Sequence, residues 1–185
     1  MNVLAIADRR PKIDIAQTVQ QNQIELIVTL GDLTREDIFQ LGAITHIPKI
    51  GVYGNHDSGG YMPEFGIWDM HRKIWEFQGL KFGGFQGCVR YKDNPDAIMY
   101  TQQEAVQLMA DYPPVDVFIS HCPPRGINDE DELAHQGYDG LRMYLDRFQP
   151  KAWLHGHTYP TEETVIRQYG STRIEYVSEY KILTL

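Results

Sequence analysis

What most constrains this chain is where its apolar runs stop. VLAIA (3–7) ends at Asp8, ELIVTL (25–30) at Gly31-Asp32, and PKIGVYG (48–54) at Asn55-His56-Asp57. Further on, VDVFIS (115–120) ends at His121, and KAWL (151–154) ends at His155-Gly156-His157. Short continuous apolar runs are what strands buried on both faces look like. Sheets of parallel strands build their ligand sites at the carboxyl ends of those strands. The chain is therefore expected to gather Asp8, Asp32, Asn55, His56, His121 and His157 at one end of a buried sheet core. Nothing comparable occurs elsewhere in it.

The segments between these runs fill in an α/β pattern. Pro11 permits a helix start, with Ile13, Ile15, Ala16 and Val19 as its apolar face. Trp75 to Phe85 reads as a hairpin turning at Gln78-Gly79, and residues 87–100 read as loop. Thr101-x-x-Glu104 is a capping box that opens a helix to Ala110. A third helix is expected over 138–148, from the spacing of Leu141, Tyr144, Leu145 and Phe148. The tail segments VIRQY, RIEYV and KILTL read as a β-meander. Trp68, Trp75 and Trp153 are expected in the core, and the acidic run Asp129 to Glu132 as a solvated helix start. Tyr61 to Trp75 reads as an interface or a lid. No repeat or linker interrupts the chain, so a single domain over residues 1–185 is the expectation.

Composition narrows the partners. The chain has 17 Lys and Arg against 25 Asp and Glu, a net charge of −8. That balance disfavours polymeric nucleic acid, whose phosphates call for a basic stripe. Only two cysteines are present, Cys88 and Cys122, too few for a disulfide framework. No apolar run reaches the length of a membrane span, and the N-terminal stretch lacks a signal-length apolar core. These readings make a cytoplasmic protein without membrane attachment the expectation.

Carboxylates, an amide oxygen and imidazoles together suit a borderline divalent cation: Mn²⁺ first, then Fe²⁺, Zn²⁺ or Ni²⁺. The absence of thiolate pairs argues against a structural zinc site. The bland readings are a cap or turn for each Asp and Asn, and a buried hydrogen-bonded imidazole for each His. His155 reads as structural. His46, His71 and His135 read as surface or packing residues.

In order and type, these blocks resemble the calcineurin-like metallophosphoesterases. The matching residues are Asp8-Arg9-Arg10, Gly31-Asp32-Leu33-Thr34, Gly54-Asn55-His56-Asp57, Ser120-His121-Cys122-Pro123-Pro124 and Gly156-His157-Thr158-Tyr159. The resemblance implies a four-layer α/β/β/α sandwich with two mixed sheets face to face. It implies a divalent metal centre of one or two ions, with Asp32 as the bridging ligand. Asn55, His121 and His157 would complete one ion, and Asp8 would serve the other. Arg10 and Tyr159 stand where that family has the two histidines of the latter ion.

Arg10 offers a cation no lone pair, but its charge can pair with Asp8 or bind a phosphate oxygen. Tyr159 can offer a hydroxyl to substrate, and Arg125 can reach a phosphate. Two arrangements stay open: a mononuclear site, or a first ion held weakly by Asp8 and Asp32 with waters. The implied activity is hydrolysis of a small soluble phosphate ester by metal-activated water, with a phosphodiesterase preferred over a monoesterase. His56 would act as general acid or hydrogen-bond donor, with Asp57 orienting its ring. The depleted site implies slow turnover or restriction to diesters. A fold kept as scaffold or regulatory protein is the alternative.

Overall fold

The computed structural model describes residues 1–185. It contains strands β1 (Asn2–Ala7), β2 (Leu26–Thr29), β3 (Lys49–Gly51), β4 (Ile67–Asp69), β5 (Ile74–Phe77), β6 (Leu80–Phe85), β7 (Cys88–Val89) and β8 (Met99–Tyr100). These are followed by β9 (Val117–Ser120), β10 (Ala152–His155), β11 (Gln168–Tyr169), β12 (Thr172–Tyr176) and β13 (Glu179–Thr184). The α-helices are α1 (Ile15–Gln21), α2 (Gln102–Met109) and α3 (Asp139–Phe148). One sheet runs β13-β1-β2-β3-β4 and the other β11-β12-β10-β9-β6-β5.

Three apolar clusters lie between the layers, and strand alternation assigns residues to them. Val3, Ala5 and Ala7 of β1 face the other sheet, where Val117, Ile119, Ala152 and Leu154 meet them. Leu4 and Ile6 point the opposite way, onto Ile15 and Val19 of α1. On the second sheet, Phe118 and Trp153 leave the inter-sheet layer to pack under Ala105 of α2 and Leu141 and Tyr144 of α3. The result is the four-layer α/β/β/α sandwich, and its continuous apolar runs follow from burial on both faces.

Local signals account for the element ends. Thr101 and Glu104 form the capping box of α2. Gln78 and Gly79 both take positive φ, at 50° and 76°, as a tight primed hairpin turn between β5 and β6 requires. Helix α1 starts at Ile15 rather than just after Pro11, because the Asp14 side chain accepts the Gln17 amide at 2.9 Å and caps it.

The structure corrects several expectations. The tail is not a meander. β11 and β12 form a hairpin and β12 runs parallel to β10, whereas β13 crosses to the other sheet and pairs antiparallel with β1. Three similar apolar runs carry no mark of which sheet will take them. Within residues 87–100, β7 and β8 form a short parallel ladder. Trp153 is fully buried and Trp75 half-buried, but Trp68 lies on edge strand β4 and is 60% exposed. The acidic run opens no α-helix. It lies in a loop with one 3₁₀ turn at Leu133–His135. His71, expected at the surface or in packing, is a packing residue: it lies against Phe85 and Tyr100, contacts the Gln86 amide and the Tyr100 hydroxyl, and burial lowers its pKa to about 4.

Candidate metal centre

The site lies where β1, β2, β3, β9 and β10 end. Three of its residues take backbone angles that side chains rarely adopt: φ is 62° at Asp8, 53° at Asp32 and 70° at His157. Such conformations cost roughly 1–3 kcal/mol each and persist where surrounding structure over-determines them, commonly at functional sites. Gly31 and Gly54 allow the loops after β2 and β3 to meet. A Cβ on Gly31 would strike Gly54, and one on Gly54 would strike Asp32.

His121 is the buried centre of the cluster. Its Nδ1–H donates to the Leu30 carbonyl at 2.7 Å, and Nε2–H donates to Asn55 Oδ1 at 3.0 Å. Asp32 Oδ2 lies 3.5 Å from Nε2, and Asp8 Oδ1 lies 3.9 Å from Nδ1. Burial alone would lower the pKa of this imidazole. The Asp32 and Asp8 carboxylates and the Leu30 carbonyl outweigh burial and raise it to about 9. Burial lifts Asp8 to about 6, while His121 holds Asp32 below the usual carboxylate range against its own burial.

Burial and the neighbouring His121 charge push His157 down to about 3, so its ring is neutral. Its Nε2–H donates to the Ala134 carbonyl at 2.7 Å, and its backbone N–H meets both Asp8 oxygens at 3.1 Å.

This donor set fits a divalent ion. One ligand atom each from Asp32, His121 and His157 lies within 4.8 Å of the other two, and the Asn55 amide oxygen touches His121. The Leu30 and Ala134 carbonyls each fix one nitrogen of their imidazole, the second support that metal-binding histidines commonly carry. The Arg10 guanidinium lies 5.5 Å over the Phe39 ring and makes no ion pair with Asp8. Tyr159 is 52% exposed and faces His135, with ring centroids 5.7 Å apart. Arg9, which no motif singles out, stands 6.0 Å over the Tyr159 ring.

Two other assignments change. Asp57 does not orient His56. It is buried and accepts the amides of Gly54 at 2.6 Å and of Asp32 and Leu33 at 3.0 Å each, with the Tyr61 hydroxyl at 3.3 Å. It clamps the loops after β2 and β3 together. Arg125 is drawn to Asp129 at 3.2 Å, where it closes its own loop rather than extending toward a phosphate. His56 remains exposed, its backbone amide on Asp32 Oδ1 at 2.8 Å. A cleft of about 470 Å³ opens beside it, lined also by Asp32, Thr34, Arg35 and Ser58.

A family model described as calcineurin-like phosphoesterase matches residues 6–160. The crystal structure of TT1561 from Thermus thermophilus is similar, with a TM-score of 0.57 at 15% identity, over 96% of this chain and 89% of that one. A protein of unknown function from Aquifex aeolicus, AQ665, aligns over the same shares of both chains at 16% identity and a TM-score of 0.42. No curated protein matches the sequence.

Proposed function

The chain belongs to the calcineurin-like phosphoesterase family, whose members are metal-dependent phosphoester hydrolases, and from that premise we propose a phosphodiesterase that works with one tightly held ion. The observation that carries this reading is the asymmetry of the site. Asp32, Asn55, His121 and His157 converge, while Asp8 has neither Arg10 nor Tyr159 beside it as a partner. A bound divalent cation, with Mn²⁺ the first choice, supplies a water of lowered pKa and neutralises charge on the phosphoryl oxygens.

The chain's own residues do the rest. His56, exposed at the mouth of the cleft, donates a hydrogen bond or proton to the leaving oxygen. Asp57 keeps the Asp32 and Asn55 loops in register for this. Arg9 makes no ion pair and stands 6.0 Å over the Tyr159 ring, and this guanidinium and phenol can hold the ester's remaining oxygens. A small ester suits the cleft of about 470 Å³. A diester, with one negative charge, suits a site that has lost one cation.

The test is hydrolysis of bis-p-nitrophenyl phosphate and of p-nitrophenyl phosphate. Protein is stripped of metal, then supplied with Mn²⁺, Ni²⁺ or Zn²⁺, with Asp32→Ala alongside. Metal-dependent diester cleavage that is absent in Asp32→Ala supports the reading. Binding of one ion without turnover under any metal would move the protein to the scaffold reading.

A further inference from the structure

The loop from Pro124 to Tyr138 delivers the Ala134 carbonyl to His157, and the loop is held by its own side chains. Its ends are pinched together: the Arg125 amide donates to the Tyr138 carbonyl at 3.1 Å, and the Tyr138 amide to the Pro123 carbonyl at 3.0 Å. Asp129 closes it from within. Its carboxylate accepts the Gly126 amide at 2.9 Å, the Gly137 amide at 3.0 Å and the Arg125 guanidinium at 3.2 Å.

Asn128, buried and at φ 55°, fastens this loop to the sheet. Its Oδ1 accepts the Ile166 amide at 2.6 Å. Its Nδ2 donates to the Ile166 carbonyl at 3.1 Å and lies 3.0 Å from His155 Nε2. His155 is fully buried, and because an amide NH2 can only donate, its Nε2 is the nitrogen that accepts this bond. The far end of the loop is the turn whose Ala134 oxygen takes the His157 Nε2 proton.

A neutral imidazole carries one N–H and one lone pair. With Nε2 committed to Ala134, Nδ1 is the nitrogen left to ligate. We infer that Asn128 and Asp129 are positioning residues for the metal centre: they fix the loop whose Ala134 carbonyl selects the tautomer of His157. The inference rests on the reading that His157 is a metal ligand. It adds two residues, about 30 positions upstream in sequence, that touch neither metal nor substrate.

The experiment uses Asn128→Gly, which removes the side-chain bonds while suiting the left-handed backbone, and Asp129→Asn, which is isosteric. Two readouts apply to the full chain. Long-range ¹H–¹⁵N spectra of the metal-free protein report the His157 tautomer, and calorimetric titration with Mn²⁺ reports affinity. The wild type is expected to show the Nε2–H form alone. Each variant is expected to show mixed tautomers and about 10- to 100-fold weaker Mn²⁺ binding, the usual consequence of losing outer support to a ligand. A merely structural role would lower the melting temperature and leave tautomer and affinity unchanged, and that result overturns the inference. If the wild type binds no Mn²⁺, Zn²⁺ or Ni²⁺, the metal reading itself fails. In that case a variant tautomer still pure Nε2–H overturns the positioning role as well.

Discussion

Asp8 takes the backbone N–H of His157 on both carboxylate oxygens, at 3.1 Å each, and so ties the end of β1 to the end of β10 across 149 residues. A Cβ on Gly156 would press on both of those oxygens, so the contact also depends on a glycine at 156. With its oxygens turned to that amide, Asp8 supports the backbone of His157. The expected consequence is that Asp8→Asn, which keeps one accepting oxygen, still binds one ion, with affinity about tenfold weaker. Asp32→Ala is expected to lose the ion altogether. Calorimetric titration of the metal-stripped protein checks both. Two equally tight ions in the wild type, one of them lost in Asp8→Asn, would show Asp8 to be a ligand of a dinuclear centre.

Metal binding should release a proton. His121 stays protonated up to about pH 9 in the metal-free protein, and a ligating imidazole must be neutral. At pH 7.5 about one proton should therefore leave per ion bound. Apparent affinity should rise about tenfold per pH unit until pH 9. The sign for stability is opposite in the two forms. The raised His121 pKa stabilises the metal-free fold below pH 6.5, and that contribution is lost as pH rises through about 9. Titrations in two buffers of different ionisation enthalpy count the proton. Proton-neutral binding at pH 7.5 would refute this account.

Asp57 and His56 are adjacent in sequence yet should fail in different ways. Asp57→Ala leaves the amides of Gly54, Asp32 and Leu33 unpaired in a buried place. The cost should be about 3 kcal/mol, a fall of about 6–12 °C in Tm, with metal binding weakened as the loops separate. Thermal melts with and without Mn²⁺ check it. A melt within 2 °C of wild type would mean that Asp57 is not the clamp.

His56→Ala removes an exposed ring with no buried partner, so Tm should stay within about 1 °C of wild type, as surface substitutions usually do. If His56 donates to the leaving oxygen, kcat should fall by about 10²–10⁴ for alkyl diesters and far less for p-nitrophenyl esters, whose leaving group needs no proton. An equal loss on both substrates would assign His56 to binding.

The strands, and the gathering of polar residues at their ends, were legible because they rest on local rules. A run such as VDVFIS has few alternatives to a buried strand, and a polar residue at its end has few reasons to be there. The GNHD block illustrates the limit. It marked Asn55 and His56, but the partners of Asp57 are amides at 32, 33 and 54, which no side-chain pattern records. The Asn128–Asp129 support was hidden for a related reason. An acidic run looks solvated, and only tertiary closure reveals that the Asp129 side chain is 11% exposed and faces two amides and an arginine. The same holds for Arg9 and Arg10. Their spacing singles out Arg10 as the departure from the family pattern, yet Arg9 meets Tyr159 while Arg10 rests on Phe39.

Restoring the two departures should add an ion. Arg10 and Tyr159 are both exposed, so histidines at these positions disturb no core packing. Arg10→His alone should change little, because one imidazole with Asp8 and Asp32 still leaves too few ligands. Arg10→His with Tyr159→His supplies two imidazoles and also removes an exposed guanidinium charge, whose repulsion of a cation solvent and salt largely screen. The double variant should bind two Mn²⁺ ions per chain by elemental analysis after gel filtration, against one for the wild type and for either single variant. Diester turnover should rise with it, since a second ion shares the charge on the attacking and leaving oxygens. One ion in the double variant, with its fold intact by circular dichroism, would show that more than these two side chains keeps the second position closed.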